Sequence, residues 1–152
     1  YTPEQAAGIV GNLVQESGVR PSGAVGDGGT AFGVAQWRGE RLNRLKRYAA
    51  ANGKNWEDLG TQLDFVDVEL KNHETGAYEA LKNAKTIEEA TAAFIGYERP
   101  RGWTTANPQG GHGWSNRLAA AQRTAATSKV RPPQMRRNRR GPQLVARSRP
   151  NQ

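Results

Sequence analysis

The stretch NLVQESGVRPSGAVGDGGTAFGVAQW, residues 12–37, joins the end of an apolar helix to a glycine-rich turn and a second apolar segment. Glu16 lies at the end of that helix. At 100° per residue it shares the face of Ile9 and Leu13, so its carboxylate is predicted to point toward a cleft or the core. The spacing leaves one alternative open, a glutamate at a helix end that simply reaches water.

Two effects are expected to act on the Glu16 carboxylate. The helix dipole is negative at this end, and apolar neighbours desolvate the group, so both are predicted to raise its pKa. A carboxyl group that keeps its proton near neutral pH is what general acid catalysis requires. Glu16 is therefore a candidate proton donor.

The residues that precede Glu16 predict a capped helix of about four turns. Thr2 is the N-cap, Pro3 takes the first helical position, Gln5 completes a capping box, and Gly18 ends the helix. A second helix is predicted over residues 40–51, with Arg41, Arg44 and Arg47 on a solvated face.

Further helices are predicted around residues 78–81, over 86–97 and over 115–127. Another is marked by an apolar stripe of Trp56, Leu59, Leu63, Val66 and Leu70. No strand-like alternation of any length occurs, and only residues 24–36 are expected to form a small hairpin or irregular lobe. The predicted fold class is mostly α, with one small non-helical lobe.

The charge separates the chain into two parts. Residues 1–127 hold 14 Lys/Arg and 14 Asp/Glu, whereas residues 128–152 hold eight Lys/Arg, no acid and four of the eight prolines. This predicts a folded domain over 1–127 and a disordered or extended basic tail over 128–152. The tail is interpreted either as a linker or as an arm that binds nucleic acid, a teichoic-type polymer or an acidic partner.

Other classes of protein receive no support from the composition. No run of about 18 apolar residues suggests a membrane span, and the absence of cysteine removes disulfides and thiolate metal sites. His73 and His112 have no metal-ligand spacing, so neither a metal nor a cofactor is expected. The chain opens on Tyr1 without methionine, which suggests a piece of a larger polypeptide.

A helix ending in Glu16-Ser17, a glycine-rich turn and then GVAQW, residues 33–37, resembles the lysozyme-like superfamily. Within it, GDGGTAFGVAQW (26–37) and YERP (97–100) are most similar to the phage tail lysozymes; goose-type lysozymes and soluble lytic transglycosylases are related. The likeness covers about residues 2–125. It implies an α+β lysozyme-like fold, Glu16 as the catalytic acid, and Gly33 and Gln36 in a sugar-binding cleft.

Two further carboxylates are candidates beside this resemblance. Asp27 follows Glu16 by 11 positions, about where lysozyme-like enzymes with a second acid carry it, or else it makes a side-chain turn among glycines. Glu98 either faces the cleft as a second acid or pairs with Arg99 or Arg101.

Aromatic residues complete the candidate substrate-binding set. Phe32 and Trp37 either stack on pyranose rings or belong to the core. Tyr97 precedes Glu98 in YERP and is included with it as a substrate-binding candidate, although a structural role is the alternative.

The sequence therefore predicts a muramidase that cleaves the MurNAc-GlcNAc β-1,4 bond of peptidoglycan, carried by a phage virion or tail and acting at the bacterial cell wall or periplasm. A lytic transglycosylase and an inactive glycan-binding or structural virion module are the alternatives. The Gly-x-x-Gln element carries Val34 and Ala35, and no AYNAG-like element is found, which favours hydrolysis over transglycosylation.

Overall fold

Helix α1, Pro3–Ser17, begins and ends at its predicted signals. The Gln5 N–H donates to Thr2 Oγ1 at 3.2 Å, and the Thr2 N–H donates to Gln5 Oε1 at 3.1 Å. Gly18 ends the helix in the left-handed region, with φ of 67°. The capping box and the glycine stop are confirmed, because both depend on residues within one turn of the helix end.

The computed structural model describes residues 1–22 and 29–128, so Asp27 and residues 129–152 of the tail lie outside the described residues. Five α-helices follow α1 along the described chain: α2 Gly39–Ala51, α3 Leu59–Asn72, α4 Thr75–Asn83, α5 Ile87–Glu98 and α6 Trp114–Ser128. The mostly helical fold class is confirmed. Within the described ranges, no helix has the length and apolar character needed to cross a membrane.

Glycines let α1 pack closely against two other helices. A Cβ atom on Gly8 would lie 2.6 Å from the Ala90 carbonyl carbon of α5, and one on Gly11 would lie 2.5 Å from the Arg117 carbonyl oxygen of α6. Larger side chains at these positions would therefore push the helices apart. The close approach brings the last turn of α1, with Glu16, beside the first turn of α6.

The turn at residues 33–36 is tied to two helices. Phe32 and Trp37 pair in an isolated antiparallel bridge, which is all of the predicted hairpin that the described residues show. Ser17 Oγ donates to Val34 O at 2.8 Å, and the Val34 N–H donates to the fully buried Gln62 Oε1 at 3.0 Å. The end of α1 and the middle of α3 thus position the turn.

The apolar stripe predicted for α3 needs a correction. Val66 and Leu70 are buried, but Leu59 and Leu63 are 39% and 41% exposed. Polar Gln62 and Glu69 are fully buried instead, because both have hydrogen-bond partners on neighbouring elements. Burial of a polar group is tolerated when such partners are present.

Candidate active site

An open groove crosses the end of α1. It consists of two adjoining clefts of about 420 and 540 Å³, and Glu16, Pro100 and Arg101 line both of them. The smaller cleft is completed by Gln15, His112 and Arg117, and the larger by Ala35, Gln36, Trp37, Arg38, Arg41, Glu98 and Arg99. Glu16 therefore lies at the junction of the two halves.

Glu16 contacts a buried cation. Arg117 Nη2 donates to Glu16 Oε1 at 2.6 Å, and the exposed fractions of the two side chains are 2% for Arg117 and 19% for Glu16. The other guanidinium nitrogens of Arg117 donate to Asn12 Oδ1 at 3.2 Å and to His112 O at 3.0 Å. The prediction that apolar neighbours surround Glu16 is therefore wrong in part, because a buried arginine contacts its carboxylate. The groove holds the carboxylate by a rigid ion pair.

Glu98 is the last residue of α5 and shares the larger cleft with Glu16. Its Oε1 atom is buried and has no hydrogen-bond partner. Burial, together with repulsion from the Glu16 carboxylate, raises the pKa of Glu98 well above its ordinary value, although Arg41 and Arg117 act in the opposite direction. Glu98 is thus expected to release its proton at a higher pH than an exposed glutamate does.

The ion pairs expected for Glu98 do not form. Arg99 instead donates two hydrogen bonds to Glu74, at 2.5 and 3.0 Å, and Arg101 makes no ion pair with a described residue. Arg99 turns away because it caps α5 in the left-handed region, with φ of 47°, and its side chain reaches α4. Glu98 instead lines the larger cleft, and its role as a second acid stays a prediction.

A buried polar network supports the floor of the larger cleft. The fully buried Glu69 carboxylate accepts hydrogen bonds from Trp37 Nε1 and Tyr97 OH, both at 2.6 Å, and from Arg41 Nε at 3.1 Å. The spacing on α2 predicted that Arg41 lies on a solvated face, and this prediction is wrong. Its guanidinium is turned inward by the charge of Glu69.

This network decides the roles of two predicted aromatic residues. Trp37 is 1% exposed and Tyr97 is fully buried. Trp37 thus follows its core alternative, and Tyr97, a substrate-binding candidate, is corrected to a support beneath the cleft, because neither ring is accessible for stacking on a sugar. Both donate to Glu69, which satisfies the indole and hydroxyl groups inside the core.

The remaining candidates divide between the groove and its support. Gln36 lines the larger cleft, and its Nε2 donates to Gly33 O at 3.0 Å. Gly33 has a φ of 83° and is packed so closely that a Cβ would lie 2.8 Å from Gln62 Oε1, so it shapes the turn rather than the groove surface. Phe32 is half-buried against Trp56, at a ring-centroid distance of 4.7 Å, and does not line either cleft.

The sequence pattern indicated Arg101 only as a possible partner of Glu98, did not indicate Arg117, and placed Arg41 on a solvated face. Arg117 lies 101 residues from Glu16, and Arg41 lies 28 residues from Glu69. No local pattern marks such contacts. Arg101 directly follows YERP, and this adjacency was the available signal for it.

The fold and the groove together define a small helical protein whose open cleft carries a glutamate at its centre. Within the described residues, no group of three or more His, Asp or Glu side chains is arranged to hold a metal ion. A family model for phage tail lysozymes matches residues 1–127, and the chain belongs to this family. It is thus a phage-associated, lysozyme-like protein with a role in peptidoglycan degradation. No match was found among curated proteins or among solved structures.

Proposed function

We propose that this protein is a muramidase that cleaves the MurNAc-GlcNAc β-1,4 bond with Glu16 as general acid. The observation that carries the proposal is the place of Glu16 where the two halves of one groove meet. A glycan strand lying along the groove has sugars on both sides of this carboxyl group. The bond between those sugars is then the one that Glu16 protonates.

Arg117 supports this role because it stabilises the carboxylate that Glu16 becomes after giving up its proton. When a carboxylic acid protonates a glycosidic oxygen, it becomes a carboxylate as the oxocarbenium-like transition state forms. The guanidinium 2.6 Å from Glu16 Oε1 stabilises that developing negative charge without having to move. Its bonds to Asn12 and His112 also fix the direction of the carboxyl group.

Glu98 is the second carboxyl group beside the groove among the described residues. Two carboxyl groups that repel each other do not both ionise readily, and burial favours the neutral form at Glu98. Glu98 therefore contributes a carboxyl group with a favoured neutral form to the wall of the larger cleft. A carboxyl group whose pKa is raised in this way is ionised to a smaller extent, so Glu98 is less suited than an exposed carboxylate to act as the base or nucleophile.

The second carboxylate of a hydrolase is assigned to Asp27, in agreement with its position in the glycine-rich segment. If Asp27 activates water, its carboxyl group is expected to lie about 6.5–9.5 Å from that of the acid. If it attacks the sugar directly, the two carboxyl groups are expected to be about 5 Å apart. If it does neither, a lytic transglycosylase with one acid is the competing function. The remaining competitor is a glycan-binding or structural module without activity.

The setting follows from the same proposal. The enzyme is carried in a virion or tail, as part of a larger polypeptide or assembly, and opens the wall of the host cell locally. Residues 1–127 form the catalytic domain in this proposal. The basic segment 128–152 serves as a linker or as a contact to an anionic polymer or nucleic acid.

A digest of purified peptidoglycan, read by mass spectrometry, tests the proposal. Reducing MurNAc ends are expected for the natural protein, and no products for Glu16→Gln. Glu79 is exposed on α4, so the Glu79→Gln variant is a matched control that should cleave peptidoglycan normally. Products with 1,6-anhydro ends would establish the transglycosylase instead, and an intact glycan would leave a binding module.

A further inference from the structure

Arg101 lines both halves of the groove beside Glu16, and it differs from the other arginines there. Its side chain is exposed and has no hydrogen bond or ion pair with any described residue. Three of the other groove arginines already contact acids, through the pairs Arg41–Glu69, Arg99–Glu74 and Arg117–Glu16. Arg101 is therefore a cation with a free guanidinium at the centre of the groove.

The backbone that carries Arg101 is held on both sides. Its carbonyl accepts a hydrogen bond from the His112 N–H at 2.7 Å, and the Trp103 N–H donates to Pro100 O at 3.0 Å. Gly102, with φ of 85°, packs so tightly that a Cβ would lie 2.4 Å from Gly110 O. The guanidinium therefore starts from a fixed point, and only its own side chain has to be ordered by a ligand.

The surroundings of Arg101 favour an anion. Within the described residues, the groove is lined by five arginines but only two glutamates, Glu16 and Glu98. Glu16 is already engaged by Arg117, and Glu98, whose Oε1 atom is buried without a hydrogen-bond partner, makes no ion pair with Arg101. Neither carboxyl group neutralises Arg101, so an incoming anion meets an uncompensated positive charge.

We propose that Arg101 is a specificity-determining residue that binds a carboxylate carried by the substrate strand. This inference rests on the proposed function and names its preferred substrate: muramic acid-containing glycan, whose lactyl group or attached peptide stem carries carboxylates, over neutral chitin-type oligomers. Arginine binds a carboxylate through two parallel N–H···O bonds. A charge-assisted contact of this kind contributes about 1.5–3 kcal/mol, which is roughly a tenfold or greater change in affinity.

The test measures binding by calorimetry in a Glu16→Gln background, so that no ligand is cleaved. Three ligands of equal sugar number separate the sources of charge: a chitin oligomer, a muramyl glycan stripped of peptide, and the same glycan with its peptide stems. Arg101→Gln is expected to weaken binding of the muramyl ligands about tenfold and to leave chitin binding unchanged. Arg123→Gln, an exposed change on α6 outside the groove, is the matched control.

Each outcome decides the matter. An effect on the stripped glycan alone identifies the lactyl carboxylate, which is free only when no peptide is attached. An effect on the stem-bearing ligand alone identifies the peptide carboxylates, and an effect on both shows that the site accepts a carboxylate from either source; all three outcomes support the proposal. Equal weakening for all three ligands, or no weakening for any, overturns it while the muramidase proposal stands. If the protein with Arg101 intact binds none of the ligands, the proposed function itself fails, and the carboxylate site fails with it.

Discussion

Arg117 Nη2 donates to Glu16 Oε1 at 2.6 Å, joining two residues that are 101 positions apart in the sequence. The contact forms because α1 and α6 approach closely at Gly11. It sets the candidate acid against a cation that is itself held by Asn12 and His112. The groove thus places a proton donor and the stabiliser of its conjugate base in one rigid unit.

Glu16→Gln is expected to abolish cleavage of peptidoglycan while the fold stays intact, because the amide has the same shape but no proton to donate. A general acid contributes about 10²–10⁴ in rate, so kcat should fall by at least about 100-fold. Turbidity loss of purified walls measures the rate, and far-UV circular dichroism checks the fold. A folded variant that keeps a tenth of the activity would remove Glu16 from the mechanism.

Asp27→Asn separates the two mechanisms. If Asp27 activates water or forms the glycosyl bond, the variant should lose nearly as much activity as Glu16→Gln, because an amide can do neither. The rates of both variants on the same peptidoglycan preparation give the comparison. Near-normal turnover by Asp27→Asn would favour a single-acid mechanism and would shift the assignment toward a transglycosylase.

Glu98→Gln is expected to make the protein more stable at neutral and alkaline pH. Burial and repulsion from Glu16 raise the pKa of Glu98 in the folded protein. The unfolded chain releases this proton once the pH exceeds the ordinary pKa of 4.5, whereas the folded protein keeps it to a higher pH. The stability of the natural protein is therefore highest below that value and declines as pH rises toward the folded-state pKa. The neutral amide removes this decline.

Thermal unfolding between pH 4 and pH 9 checks the prediction for Glu98. The melting temperature of Glu98→Gln minus that of the natural protein should grow with pH, reaching on the order of a few degrees. Glu79→Gln, at an exposed position of α4, should show no such trend. A difference that stays constant with pH would mean that Glu98 ionises normally.

Replacement of Arg117 distinguishes positioning from packing. Arg117→Met should destabilise the protein by on the order of 3 kcal/mol, because it leaves Glu16 and Asn12 without their buried partner. Arg117→Lys keeps the charge but cannot reach three acceptors at once, so it should fold while losing at least about tenfold in kcat, with little change in KM. Full activity of a folded Arg117→Lys variant would reduce Arg117 to a structural role.

Removal of residues 128–152 should leave the catalytic domain folded. The truncation removes eight positive charges and few apolar residues. The melting temperature and the activity on short soluble glycans should therefore stay unchanged. Binding to anionic walls or DNA should weaken, most strongly at low salt, since the Debye length is about 10 Å at 0.1 M. Loss of folding would place the domain boundary beyond residue 127.

Much of the helical framework could be predicted from residues close together in the chain. The N-cap of α5 illustrates this: Thr86 Oγ1 accepts from the Glu89 N–H at 3.1 Å, but Glu89 Oε2 accepts from the Lys85 N–H rather than from that of Thr86. The predicted start of this helix at residue 86 was therefore correct to within one residue. Helical spacing was less reliable for burial, as the exposure of Leu59 and Leu63 on α3 shows.

The sequence by itself determined where α1 starts and stops, and it identified Glu16 as a candidate acid at the edge of a glycine-rich turn. These are short-range properties, because capping bonds and helix faces depend on residues within a few positions of each other. Only the tertiary structure decided that Arg117 meets Glu16, that Arg41 turns inward to Glu69, and that Tyr97 is covered. Those outcomes depend on how closely the helices approach and on which buried polar groups find partners, and both are set by packing across the whole domain.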